Sequence, residues 1–135
     1  MTSWEPRPTP EVTPETEAYW QGAAEGEFLL KRCDECGLEF HYPRALCPDC
    51  FGETSWFEAA GTGEVYSYAV SRKVGGWPEE HLPLVSAYVE LAEGPRIQTN
   101  VVDCDPADVS VGMPVEVAFV PAADGDIEIP VFTPA

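Results

Sequence analysis

Positive charge is what this chain has least of. Its 135 residues carry 24 acids against 7 bases, for a formal net charge of −17. Only Lys31 and Lys73 are lysines, and no Lys or Arg follows Arg96. That scarcity argues against a surface built to neutralise phosphates, since nucleic-acid affinity rests on Lys and Arg contacts. Long apolar runs are missing as well. No segment approaches the ~20 residues of a membrane-spanning helix, so a soluble protein without membrane contact is expected. Residues 1–17 are polar, acidic and Pro-rich, without the apolar core of a secretory signal, which points to the cytoplasm. Histidine is scarce too. His41 and His81 sit in Phe40-His41-Tyr42 and Glu80-His81-Leu82, with no sign of a catalytic pair.

What is present is a cysteine pattern. Cys33, Cys36, Cys47 and Cys50 form two Cys-x-x-Cys pairs with ten residues between them. Each pair places two thiolates on one side of a tight turn, and two such knuckles complete a tetrahedral sulfur cage. Structural Zn²⁺ suits that cage, being redox-inert and content with four thiolates; iron or an iron–sulfur cluster fits the same ligands less specifically. Gly37 follows Cys36 and Gly52 lies just beyond Cys50, where a turn around a metal often needs positive φ. Two disulfides would require an oxidising compartment. A single redox motif would not come as two paired knuckles. Four thiolates already saturate zinc, which leaves His41 as a packing or surface residue. Cys104 is the one thiol outside the set, and its neighbours Asp103 and Asp105 would raise its pKa, the wrong direction for a nucleophile. It reads as a small apolar residue at a strand end, and the chain as non-catalytic.

The acid excess has two readings. One is an ordinary acidic cytosolic protein. The other is a halophile's surface, in which acids replace Lys to keep a protein in solution at molar salt.

Organisation changes along the chain. Residues 1–14 carry four Pro and no apolar period, so they should form an extended arm. Glu15 to Ala24 reads as a short helix with Pro14 near its first turn and Gly26 after its end. Phe28 to Trp56 is the ribbon, entered by an apolar strand Phe28 to Leu30, and Gly61-Thr62-Gly63 marks a hinge or turn. The remainder is all-β. Strands are expected at Val65 to Lys73, Leu84 to Leu91, Ile97 to Val102, Val115 to Phe119 and Ile127 to Phe132. Five short strands between Gly, Pro and Asp turns favour an OB-type barrel over a sandwich. The expected division is an arm over 1–14, helix plus zinc ribbon over 15–57, and a five-stranded OB-fold barrel over 58–135, mainly β overall.

Several motifs in order then carry a family likeness. They are Tyr19-Trp20 ahead of Gly26, Phe28-Leu29-Leu30 leading into Cys33-x-x-Cys36-Gly37, and Tyr42-Pro43-Arg44 before Cys47-Pro48-x-Cys50. Further on come Gly61-x-Gly63-x-Val65-Tyr66-Ser67, Leu82-Pro83-Leu84-Val85, Glu93-Gly94-Pro95-Arg96, Asn100 and Val111-Gly112-Met113-Pro114-Val115. Over residues 18–134 the chain resembles the zinc-ribbon/OB-fold accessory proteins, long catalogued as a domain of unknown function, that accompany thiolases and related acyl-CoA enzymes. The resemblance implies a rubredoxin-like ribbon, an OB barrel, and a non-catalytic partner for a thiolase-like or aldolase-type subunit acting on acyl-CoA thioesters. On that reading Tyr19, Trp20, Phe40 and Tyr42 are candidate docking anchors. Arg72, Lys73 and Trp77, around Gly75-Gly76, are candidates for contact with acyl-CoA; alternatively Trp77 simply covers the barrel end. The competing reading is a nucleic-acid-binding module, because OB barrels stack bases on aromatics such as Tyr66, Tyr68, Trp77 and Tyr88. It lacks the basic groove that such binding uses.

Overall fold

The computed structural model describes residues 7–123 and 126–135. One helix, α1 (Glu17–Ala24), precedes eight strands. It starts two residues later than the sequence pattern predicts. The reason is local: Thr16 N donates to Thr13 O at 3.0 Å, while the Thr16 hydroxyl accepts from Thr13 N at 3.0 Å. A closed turn thus precedes the helix, and Pro14 belongs to that turn. Gly26, at φ 80°, ends the helical segment as expected.

The ribbon is a three-stranded antiparallel sheet, with β1 (Leu29–Cys33) between β2 (Glu39–Phe40) and β3 (Thr54–Glu58). Sequence pattern finds the first of these and misses the other two. β2 has only two residues, and β3 offers Trp56 and Phe57 in succession where a half-buried strand would alternate.

The second sheet is a closed barrel. Its strands are β4 (Thr62–Ser71), β5 (Leu84–Leu91), β6 (Arg96–Val101), β7 (Pro114–Pro121) and β8 (Glu128–Pro134), in the order β4-β5-β6-β8-β7 with β7 returning to β4. Only the β6–β8 contact is parallel, through Val101 and Phe132. This is the five-stranded OB arrangement. Of the hinge or turn expected at residues 61–63, the structure has a left-handed turn residue, Gly61 at φ 75°, and then the start of β4: Thr62 and Gly63 pair with Glu116 and Val115 of β7, and Gly63 also with Leu91 of β5. At its other end β4 stops at Ser71, before Arg72 and Lys73.

Alternation explains the barrel. Ile97, Thr99 and Val101 point inward along β6, as their spacing predicts, and join Val65, Val89, Val115 and Phe132 in the interior. The ribbon adds Tyr19, Phe28 and Leu30 to that same cluster. Phe28 meets Phe132 edge to face, centroids 6.1 Å apart. Ala59 N donates to Phe28 O at 2.8 Å, and Glu93 in the β5–β6 hairpin accepts from Ala60 N at 2.8 Å. Helix, ribbon and barrel therefore share one core.

The described part of the arm lies against the barrel. Arg7 is 8% exposed, and its Nη1 donates to Asn100 Oδ1 at 2.7 Å. Its guanidinium lies 5.5 Å from the Trp77 ring centroid, and its carbonyl accepts from Ala123 N at 2.9 Å. Burial lowers the Arg7 pKa to about 10.

Candidate metal centre and docking face

The end of β1, the β1–β2 loop and the β2–β3 loop carry the four cysteines to one point. Their Sγ atoms all lie within 4.8 Å of one another, with Cys33–Cys50 at 3.5 Å and Cys36–Cys47 at 3.7 Å. A tetrahedron with Zn–S near 2.3 Å has edges of about 3.8 Å, whereas a disulfide would need about 2.05 Å. The cage thus fits a thiolate-bound metal, and all five cysteines are free thiols. Backbone amides support it: Glu35 N and Cys36 N each point at Cys33 Sγ at 3.4 Å, and Asp49 N at Cys47 Sγ at 3.4 Å. The Cys36 amide is the largest cause bringing the Cys33 thiol down to about 7, so this group readily loses its proton to solvent and is available as a thiolate ligand. The donor set is that of a structural zinc site, closed and without room for substrate.

The two knuckles differ at one position. After Cys36, Gly37 takes φ 78°, as its sequence position predicts. After Cys50 the left-handed residue is Phe51, at φ 61°, and not Gly52. A non-glycine residue there costs about 1–2 kcal/mol. Gly52 is needed for a different reason. A Cβ on it would lie 3.2 Å from Cys33 Sγ, tight against a cage sulfur, and would also displace the Glu35 carboxylate.

The predicted docking aromatics separate into two kinds. Tyr19 and Phe40 are buried in the chain's own core, so they cannot anchor another protein. Tyr19 packs on Trp20 (4.9 Å), His41 (5.7 Å) and Phe28 (6.3 Å). Trp20 is half-buried, and its Nε1 is buried with no hydrogen-bond partner among the described residues. Tyr42 is 67% exposed. Two residues that sequence reasoning passed over join it on this face: Leu46, 50% exposed, and Phe51, 76% exposed. The available signal was Phe in the second knuckle at the place where the first has Gly. His41 is a packing residue, as expected, and burial lowers its pKa to about 4.

At the barrel, Trp77 packs with Val74 and Leu82 over Leu84, Val102, Val120 and Val131. It lies half-buried over this end of the barrel, beneath Arg7. Arg72 and Lys73 are exposed beyond β4. His81 and Cys104 line one cleft of about 230 Å³, a proximity the sequence does not reveal. The Cys104 pKa is nevertheless raised, first by burial and then by Asp108, Asp105 and Asp103, so the thiol stays protonated and is a poor nucleophile.

Four of the seven bases stack on the chain's own aromatic rings. Arg7 lies over Trp77, Lys31 over Trp56 at 4.6 Å, Arg32 over Phe57 at 4.2 Å and Arg96 over Tyr66 at 3.8 Å. Arg32 also pairs with Glu39, and Arg96 with Glu90 at 3.1 Å. Arg44, Arg72 and Lys73 are exposed without such a ring contact among the described residues. No described helix is long and apolar enough to cross a membrane.

Cage, ribbon sheet and closed barrel define a zinc-ribbon/OB-fold protein. Comparison with known proteins specifies which. The rubredoxin-like zinc ribbon domain of ChsH2 matches residues 20–55, and the C-terminal OB-fold domain of ChsH2 matches residues 56–120. A DUF35 domain-containing scaffold protein of Methanothermobacter thermautotrophicus is 36% identical over 90 residues, covering 65% of this chain and 68% of that protein. A probable enoyl-CoA hydratase alpha subunit of Thermomonospora curvata is 38% identical over 131 residues; the match takes 96% of this chain but 40% of that protein. Among solved structures, a chain of the Ltp2-ChsH2(DUF35) aldolase superimposes with a TM-score of 0.82 at 35% identity, covering 93% of this chain and 98% of that one. The chain belongs to the DUF35 family of ChsH2-type zinc-ribbon and OB-fold proteins.

Proposed function

We propose that this chain is a non-catalytic accessory subunit of an acyl-CoA-acting complex in lipid metabolism, partnered by a thiolase-like or thiolase-related aldolase subunit. One observation carries this reading most: nearly the whole of a chain from the Ltp2-ChsH2(DUF35) aldolase superimposes on nearly the whole of this one. The hydratase alpha subunit relative points to the same substrate class, CoA thioesters. The chain's own chemistry agrees, since its free thiol is held protonated and its other four thiols form the cage.

On this proposal Cys33, Cys36, Cys47 and Cys50 ligate one structural Zn²⁺. The metal fixes the ribbon over residues 15–57, which docks the partner through Tyr42 and the half-buried Trp20. The barrel over residues 58–135 then sits beside the thioester entrance, where Arg72 and Lys73 meet CoA phosphates at the shared interface. Nucleic acid is the poorer reading because the acidic surface repels phosphate. The complex would be cytoplasmic, and the scarcity of lysine reflects a halophile's surface. In that case the melting temperature rises between about 0.1 and 1 M KCl, as the Debye length falls from about 10 to 3 Å; a level or falling curve rejects the halophile reading.

The decisive experiment mixes the purified chain with a thiolase- or aldolase-type enzyme from the same host. A larger hydrodynamic particle and raised turnover of an acyl-CoA substrate are expected. If size and activity of the enzyme both stay unchanged, an independent binding module becomes the better account.

A further inference from the structure

Beyond the four thiols, the second knuckle carries a feature that folding alone does not require. Phe51 occupies a left-handed backbone position that glycine fills in the first knuckle, and its side chain is 76% exposed. Its amide donates to Cys47 O at 3.0 Å, while Cys47 N donates to Gly52 O at 2.9 Å. The ring therefore projects from a backbone locked into the metal loop. Leu46 and Phe51 line an open cleft of about 540 Å³ with Glu15 and Arg44. Tyr42 lines the adjoining cleft, which Glu15 and Arg44 also border. Around this apolar strip stand three exposed acids, Glu15, Asp49 and Glu53, the last bridged to Leu46, against one exposed base, Arg44, so the rim is acidic on balance.

We infer that Phe51, flanked by Leu46 and Tyr42, is a preorganised apolar anchor that seats in an apolar pocket on the catalytic partner, with Lys and Arg side chains around that pocket. The inference rests on the accessory-subunit reading and specifies its contact. Charge selects the occupant. A second copy of this chain would set acidic rim against acidic rim, at −17 per chain. A basic-rimmed partner instead gains complementary charge around a desolvated centre, the arrangement in which aromatic anchors dominate binding. Rigidity of the backbone adds to this, because little loop entropy is left to lose on docking.

Phe51→Gly tests the anchor without an ambiguity of misfolding. Glycine adopts φ 61° more readily than Phe, so zinc content and melting temperature should be kept or raised. Affinity for the same catalytic enzyme, measured by titration calorimetry on the full chain, should fall about 30-fold or more. Leu46→Ser should weaken binding in the same direction, and Glu53→Lys should slow association at low salt. Binding by Phe51→Gly equal to wild type would overturn the inference while leaving the accessory role intact. Loss of zinc in Phe51→Gly would also overturn it, since Phe51 would then serve the ribbon fold. A wild-type homodimer that Phe51→Gly dissociates, with enzyme binding preserved, would assign the face to self-association instead. If the wild-type chain binds neither a thiolase- nor an aldolase-type enzyme, both readings fall together.

Discussion

The ribbon and the barrel reach stability by different routes although they share one core. The barrel closes its own hydrogen-bond ladder over five strands and fills the interior with Val65, Val89, Val115 and Phe132. The ribbon has one five-residue strand between a two-residue and a five-residue neighbour, and its tip carries Leu38, Tyr42, Leu46 and Phe51 outward. It cannot be held by burial at that tip. A metal cage does there what a core does in the barrel, and apolar side chains are thereby left free to face a partner. A module stapled by metal can expose a hydrophobic surface that a module stapled by packing must hide.

Breaking the cage should sharpen that contrast most. Cys47→Ser, or prolonged chelation, should release about one Zn²⁺ per chain and cost the ribbon most of its order, since structural zinc contributes on the order of 10 kcal/mol in zinc-finger peptides. Hydrogen exchange should show amides of β1 and β2 losing protection while those of β5 and β8 keep theirs. Elemental analysis of natively purified protein with neither zinc nor iron would refute the metal assignment. Phe132→Ala attacks the shared core instead. It should cost about 3–5 kcal/mol and lower the stability of both regions together, because Phe132 fills the barrel and meets Phe28. Loss of the barrel alone in denaturant unfolding would show that the regions are less coupled than their packing indicates.

A smaller effect comes from His41. The unfolded chain takes up this proton below about 6.5, the folded chain only below about 4, because burial disfavours the imidazolium. Stability from neutral His41 is therefore full above pH 6.5 and is lost as the pH falls from 6.5 to 4, by at most ~3 kcal/mol. His41→Phe should flatten this part of the pH–stability curve relative to wild type; identical curves would exclude the residue. The smallest change is expected for Arg7→Ala, about 1–2 kcal/mol, from loss of the Asn100 hydrogen bond and the contact with Trp77. Proteolysis of the arm should quicken while the zinc content stays the same.

Much of the site was legible in the primary structure because its determinants are local. Two Cys-x-x-Cys pairs define a cage at short range, and alternation at Ile97, Thr99 and Val101 defines the inward face of β6. The docking residues were not legible in this way. An aromatic residue reads alike whether it packs inward, as Tyr19 and Phe40 do, or outward, as Tyr42 and Phe51 do. The difference lies in contacts such as Tyr19 with Phe28, nine residues on and in another element. The same holds for charge. Composition shows seven bases, but only the folded chain reveals that four lie over aromatic rings.

By itself, then, the sequence determined the metal ligands, the strand content of the barrel and the acidity of the surface, because spacing, period and charge are properties of neighbouring residues. Tertiary structure alone decided that Thr62 and Gly63 open a strand directly after the turn at Gly61, and that Arg7 pins the arm to the barrel. It also decided that the left-handed turn of the second knuckle falls on Phe51. The first two depend on a partner group distant in the chain, Glu116 opposite Thr62 and Asn100 beside Arg7; the third follows the wrap of the loop around the cage, where Phe51 N donates to Cys47 O.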